Sequence, residues 1–258
     1  MNPILVALDV DTTAQALAAA HTVRGHVGGL KIGKQLFTSE GPTLVRELAA
    51  RGDRVFLDLK YHDIPNTVAG AVRAATALGV WMINVHASGG LAMMQAAREA
   101  AEQASRHQDQ RPLVIAVTVL TSMDEAALAL VGVSRSVAEQ VGALAAMAQD
   151  AGLDGVVASP HEIGVIRARC GAKFQIVTPG IRSGPAIAGD DQARTLSAAE
   201  AMAAGANYLV IGRPILKATD PGRAAEEIAA TLTKDEGRRT RDEDEGRGTR
   251  DEGRRSRP

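Results

Sequence analysis

The side chains best suited to chemistry crowd into one run, Asp58-Leu59-Lys60-Tyr61-His62-Asp63-Ile64-Pro65-Asn66-Thr67. In an extended strand Asp58 and Lys60 point to the same face. If that face lines a protein interior, the two charges must compensate each other, because an isolated buried charge is very costly. Lys31, within GLKIGK, and Asp63 would extend the pair into an alternating Lys–Asp–Lys–Asp array. Flanking carboxylates favour the ammonium form of Lys60. That is the wrong state for Schiff-base chemistry, which needs a free amine. It is the right state for stabilising developing negative charge and for protonating a carbanion. An ordinary ion pair at a rim is the plainer explanation, but four opposed charges exceed what such a pair requires.

A second group of residues points to a phosphate. Thr178-Pro179-Gly180-Ile181-Arg182 and Gly212-Arg213-Pro214-Ile215 each put backbone N–H groups and an arginine beside a glycine, a combination able to grip an anion. Between them, Ser183–Asp191 carries Gly184, Pro185 and Gly189 and is followed by Gln192. Its length and small residues suit a lid over a bound ligand. Turn glycines with surface arginines would give the same local pattern. The six histidines lack H-x-H and H-E-x-x-H spacing, so no histidine metal site is expected. His86 ends a strand and could be functional, but reads first as a core-satisfying histidine, and Met93 and Met94 as packing residues. The single cysteine, Cys170, excludes an intrachain disulfide framework and any multi-thiolate zinc site.

These residues need elements to position them. Short apolar runs rich in β-branched residues recur at Ile4–Leu8, Gly29–Ile32, Arg54–Leu59, Trp81–His86, Leu113–Leu120, Gly155–Ala158, Phe174–Val177 and Tyr208–Ile211. Helical spacing fills stretches between them, including Thr43–Ala50, Thr67–Leu78, Gly90–Gln103, Val137–Ala151 and Ser197–Ala204; Asp220-Pro221 caps a last helix, Gly222–Leu232. Continuous apolar strands alternating with amphipathic helices imply parallel strands buried on both faces. Eight such units predict an α/β fold, a (β/α)8 TIM barrel over residues 1–234. An open doubly wound sheet would carry G-x-G-x-x-G after its first strand, where this chain has LDVDTT. A barrel puts chemistry at strand C-termini. There lie Asp9, Lys31, Asp58, Lys60, Asn84, His86, Thr118, Thr121, Ser122, Arg182 and Arg213.

Composition narrows the function further. A net charge of -1 and 2% aromatic residues argue against a nucleic-acid or anionic-membrane binder. No apolar run reaches membrane-spanning length, and a strand begins at Ile4, so a cytoplasmic protein is expected. From Asp235 to Pro258 a DEGR unit repeats, with eight acids and eight arginines and no large apolar residue. This tail is expected to be a disordered, solvated extension rather than an arginine-rich binding arm.

The run at 58–67 resembles the signature of the orotidine 5'-phosphate decarboxylase family. LDV around Asp9, GLKIG around Lys31, VHASGG at 85–90, VTVLTSM at 117–123, TPGIR at 178–182, DDQAR at 190–194 and IGRPI at 211–215 follow in order. The resemblance covers the chain to about residue 233, and the tail has no counterpart in it. It implies a cofactor-free, metal-free decarboxylation of orotidine 5'-monophosphate to UMP. Lys60 would be the proton donor, Asp58 would face the substrate carboxylate, Lys31 would link the carboxylates to the ribose, and Asp9 would bind the ribose hydroxyls. Asp63, Ile64 and Thr67 would cross a homodimer interface. Thr121 or Ser122 would meet the pyrimidine, and Gln192 would bridge base and phosphate. Arg182, Gly212 and Arg213 would hold the phosphate, and Pro179 would also bind substrate. A metal-dependent barrel decarboxylase acting on 3-keto-L-gulonate 6-phosphate shares D-x-K-x-x-D, but Lys31 stands where it offers a carboxylate to magnesium. A non-catalytic phosphosugar scaffold would not need the charge array.

Overall fold

Eight apolar strands pair in parallel, each with its neighbour in sequence, and the last returns to the first to close a barrel. They are β1 (Ile4–Ala7), β2 (Gly29–Gly33), β3 (Val55–Tyr61), β4 (Met82–His86), β5 (Leu113–Val117), β6 (Gly155–Val157), β7 (Gln175–Thr178) and β8 (Tyr208–Ile211). Closure is made by Ile4 opposite Leu209 and Val6 opposite Ile211. The computed structural model describes residues 1–105, 107, 110–181 and 196–232, so the 235–258 tail lies outside the described residues.

The helices are α1 (Thr13–Val23), α2 (Lys34–Ala50), α3 (Pro65–Thr76), α4 (Leu91–Ala104), α5 (Glu125–Leu130), α6 (Val137–Asp150), α7 (Ile163–Cys170), α8 (Ala198–Ala204), α9 (Arg213–Leu216) and α10 (221–232). Their starts are written locally. Thr12 with Gln15, Ser136 with Glu139 and Ser197 with Glu200 form capping boxes, which satisfy N–H groups left unpaired at a helix start. Pro65 opens α3, where its missing N–H costs nothing.

Alternation along the strands separates two cores. Leu5, Phe56, Met82, Ile115 and Val177 fill the barrel lumen, while Ile4, Val6, Ile32, Leu57, Ile83 and Val85 pack outward beneath the helices. Met93 and Met94 are fully buried in that outer layer, as packing residues should be. Within the lumen, Asp58 and Asn84 stand two residues above Phe56 and Met82, and Lys31, opposite Phe56 in the ladder, extends its ammonium to Asp58. The polar layer thus rests on an apolar plug.

Two boundaries differ from the sequence expectation by more than two residues. Strand β5 stops at Val117 because Thr118 turns both its N–H and its hydroxyl to the Val157 carbonyl, each at 3.2 Å. Helix α2 begins at Lys34 rather than Thr43. Gly41, at φ 70°, with Pro42 breaks it into two turns-rich halves that remain end to end.

The opposite end of the barrel is tied by three arginines. Arg54 stacks over Trp81 at 5.4 Å. Arg111 grips Asp154 through two bonds of 2.8 and 2.6 Å. Arg167 donates to the carbonyls of Gly205 (2.7 Å), Gly171 (2.9 Å) and Phe174 (2.5 Å) and to the Asn207 side chain, stitching the segments that enter β7 and β8. Only a planar fork of donors serves these acceptors together. Arg167→Lys should therefore destabilise the chain by about 2–3 kcal/mol, read as a lower urea midpoint at unchanged slope. A midpoint equal to that of the parent would remove this clasp from the account of stability.

Candidate active site

Strand β3 leaves extended geometry before it ends. Leu57 pairs with Ile83 and Tyr61 with Val85, so Asp58, Leu59 and Lys60 stand opposite Asn84 alone, forming a bulge. Lys60 has φ 53°, the sole positive value for a non-glycine among the described residues. A left-handed lysine costs about 1–2 kcal/mol and persists only where its surroundings impose it. Asp58 and Lys60 do meet, but through this bulge and not through plain strand alternation.

The contacts are short. Lys60 Nζ lies 2.5 Å from Asp58 Oδ1. Asn84, fully buried, donates from Nδ2 to the same oxygen at 2.6 Å and accepts the Lys60 backbone N–H on Oδ1 at 2.8 Å. Across the mouth, Lys31 Nζ lies 3.7 Å from Asp58 Oδ2 and 3.3 Å from Asp9 Oδ1. Burial by itself would push the Asp58 carboxyl upward. The ammonium groups of Lys60 and Lys31, with the hydrogen bonds from Lys60 and Asn84, reverse this and hold it below the ordinary carboxylate value. A Cβ on Gly33 would come within 3.0 Å of Lys31 Nζ, so a glycine there leaves the ammonium its position. Asp9, Lys31, Lys34, Gln35, Asp58 and Lys60 line a cavity of about 160 Å³ that opens at this mouth.

The array within one chain runs Asp9–Lys31–Asp58–Lys60 and stops there. Within this chain Asp63 accepts the N–H of Ile64 at 2.6 Å and makes no ion pair with Lys60. Residues 62–67 are all exposed, and Ile64 is 67% exposed. Thr121 and Ser122 lie in the turn after β5; Thr121 is half-buried and Ser122 exposed. Pro179 and Gly180 follow β7, and Gly212 follows β8 with Arg213 opening α9 at the same end of the barrel. Arg182, the 183–191 loop and Gln192 lie outside the described residues.

Sequence reasoning missed Asn84 as a site residue; its place at a strand end was the available signal. His86, at the end of β4, is half-buried at the mouth, its ring 5.4 Å from that of His62, which fits the functional alternative better than the core-satisfying one. Burial, then the nearby His62, Lys34 and Lys60, bring its pKa down from 6.5 to about 4.

Opposed charges and a cavity at the C-terminal mouth of a closed parallel barrel place the chain among barrel enzymes, whose chemistry resides at that end. Residues 2–228 match the Orotidine 5'-phosphate decarboxylase / HUMPS family, and the chain belongs to that family. Orotidine 5'-phosphate decarboxylase of Dichelobacter nodosus is 54% identical over 231 residues, spanning 90% of this chain and 99% of the relative. The decarboxylase of Moorella thermoacetica is 53% identical, spanning 90% and 92% respectively. The crystal structure of orotidine 5'-phosphate decarboxylase from Lactobacillus acidophilus superposes with a TM-score of 0.80 at 35% identity, covering 90% of this chain and 99% of that one.

The histidine makes a testable link between site and stability. With the folded value at about 4 against 6.5 for the free side chain, the unfolded chain binds the extra proton between those values. Stability is then lost as pH falls through this window. Replacing His86 with Asn should spare about 1 kcal/mol of the loss seen between about pH 7 and about pH 5, after allowance for solvent screening. Urea midpoints of both chains at the two pH values measure it. Equal losses would show that His86 does not carry the effect.

Proposed function

We propose that the chain converts orotidine 5'-monophosphate to UMP and CO2, the last step of UMP biosynthesis, without metal or organic cofactor. The observation that carries this reading is the Asp58 carboxylate pinned between two ammonium groups beside the cavity. Asp58 faces the substrate carboxylate, so bringing the two anions together raises the bound substrate in energy, and departure of CO2 relieves it. The C6–carboxylate bond breaks with its electron pair left on C6. The Lys60 ammonium stabilises that pair and then transfers a proton to C6. The resulting Lys60 amine regains a proton from solvent.

The remaining roles follow the family pattern. Asp9 and Lys31 bind the ribose, and Thr121 or Ser122 meets the pyrimidine. Arg182, Gly212 and Arg213 hold the phosphate, with Pro179 beside the substrate, and Gln192 spans base and phosphate. Binding energy from that remote phosphate is expressed at the transition state. The magnesium-dependent sugar-phosphate reading is disfavoured because Lys31 Nζ already fills the space between the Asp9 and Asp58 carboxylates. The exposed Ile64, between Asp63 and Thr67, supports a homodimer in which these three residues complete the neighbouring site. A cytoplasmic location suits such an enzyme, and no helix among the described residues is long and apolar enough to cross a membrane.

Two measurements test this. In excess EDTA, loss of the orotate absorbance with formation of UMP is expected from the parent chain. Lys60→Ala should lower turnover at least about 10⁴-fold while UMP binding persists. No turnover by the folded parent would overturn the decarboxylase reading. Second, Lys60→Ala and Asp63→Ala chains should each be inactive alone. When they exchange subunits, mixed dimers carry one intact site, and about a quarter of parental activity should return. No recovery in verified mixed dimers would place Asp63 in its own chain's site.

A further inference from the structure

The bulge in β3 creates a specific deficit. Asp58, Leu59 and Lys60 face one residue of β4, so the Lys60 N–H has no carbonyl opposite it in the regular ladder. That N–H is directed instead to the Asn84 side chain at 2.8 Å. The other half of the same amide donates to Asp58 Oδ1 at 2.6 Å, the oxygen that also receives Lys60 Nζ at 2.5 Å. Asn84 is fully buried, and its backbone is engaged in a regular register with Ile115 of β5. One rigid side chain thus fixes both ends of the Asp58–Lys60 unit, the backbone of one residue and the carboxylate of the other.

We propose that Asn84 is a positioning residue for the decarboxylation, holding Lys60 in its left-handed conformation while orienting the Asp58 carboxylate against the Lys60 ammonium. This rests on the decarboxylase reading above. The geometry requires one residue able to accept from a backbone N–H and donate to a carboxylate, and a primary amide does both from two neighbouring atoms of one plane without carrying charge. Aspartate keeps the acceptor but loses the donor, and it adds a negative charge beside Asp58. Leucine keeps the volume and loses both bonds.

The test compares the parent chain with Asn84→Leu, Asn84→Ala and Asn84→Asp, each confirmed folded by circular dichroism. For Leu and Ala, kcat should fall on the order of 100-fold, the effect of misplacing a reacting group by about 1 Å. KM and UMP affinity should stay within about threefold, since neither bond touches the phosphate end. Asn84→Asp should have its own pH signature. Its carboxyl and that of Asp58 are faced by Lys60 on β3, Lys31 on β2 and, through Lys31, Asp9 after β1, with His86 and His62 beyond. Two adjoining carboxyls share a proton as the pH falls, and a protonated Asp at 84 regains the geometry of the amide. Its activity relative to the parent should therefore rise between about pH 8 and about pH 6. If the Leu and Ala chains do not fold, this ratio decides the matter.

A folded Leu or Ala variant with parental kcat would overturn the inference. So would an equal loss of kcat and UMP affinity with a flat Asp-to-parent ratio, the pattern of a merely structural residue. No turnover by the parent would remove the decarboxylase reading and this inference with it. Parental turnover beside an unimpaired Leu variant would remove this inference alone.

Discussion

A carboxylate buried at the mouth of the barrel, Asp58, can remain ionised there only because an ammonium group stands on each side of it. That requirement sets much of the surrounding structure. Strand β2 must present Lys31 inward opposite Phe56, so that its ammonium reaches up to Asp58, and the strand must end opposite Asp58 in a residue without a side chain so that the lysine has room. Strand β3 must bulge between Leu57 and Tyr61 to bring Lys60 Nζ onto the carboxylate two residues before it. The apolar plug of Leu5, Phe56, Met82, Ile115 and Val177 lies immediately beneath, which keeps water from reaching the charges from below. Low polarity there strengthens each ion pair and equally penalises any member left alone.

Much of this architecture is legible in the amino-acid order. Runs such as Ile4–Leu8 and Trp81–His86 are too short and too apolar to be surface strands, and their regular alternation with helical segments leaves few topologies. Capping pairs such as Ser136 with Glu139 mark helix starts by simple spacing. The concentration of acids, lysines and histidines just after apolar runs is legible for the same reason, since a parallel barrel has all its strand C-termini at one end.

What was not legible depends on contacts between distant segments. Nothing local in Asp58-Leu59-Lys60 announces a left-handed lysine; the conformation is imposed by Asn84 from the next strand. Helices α5 and α9, of six and four residues, are shorter than the window in which a helical period can be recognised. In α2 the Gly41-Pro42 pair signals a break, and that signal concealed the helical turns before it. The exposed stretch 62–67 was readable as chemistry from its residue types, whereas its detachment from its own chain's charge array was not.

The arginine ties deserve a wider view because of where they lie. Arg54 with Trp81, Arg111 with Asp154, and Arg167 with Gly205 and Asn207 all sit where strands enter the barrel, away from the mouth. These ties therefore stabilise the end of the strands that carries none of the site residues. A lineage moving to a warmer or colder habitat can retune the entry end by exchanging ion pairs and packing there, and leave the reacting end untouched. Ties of this kind give adaptation to temperature an address away from the reacting residues.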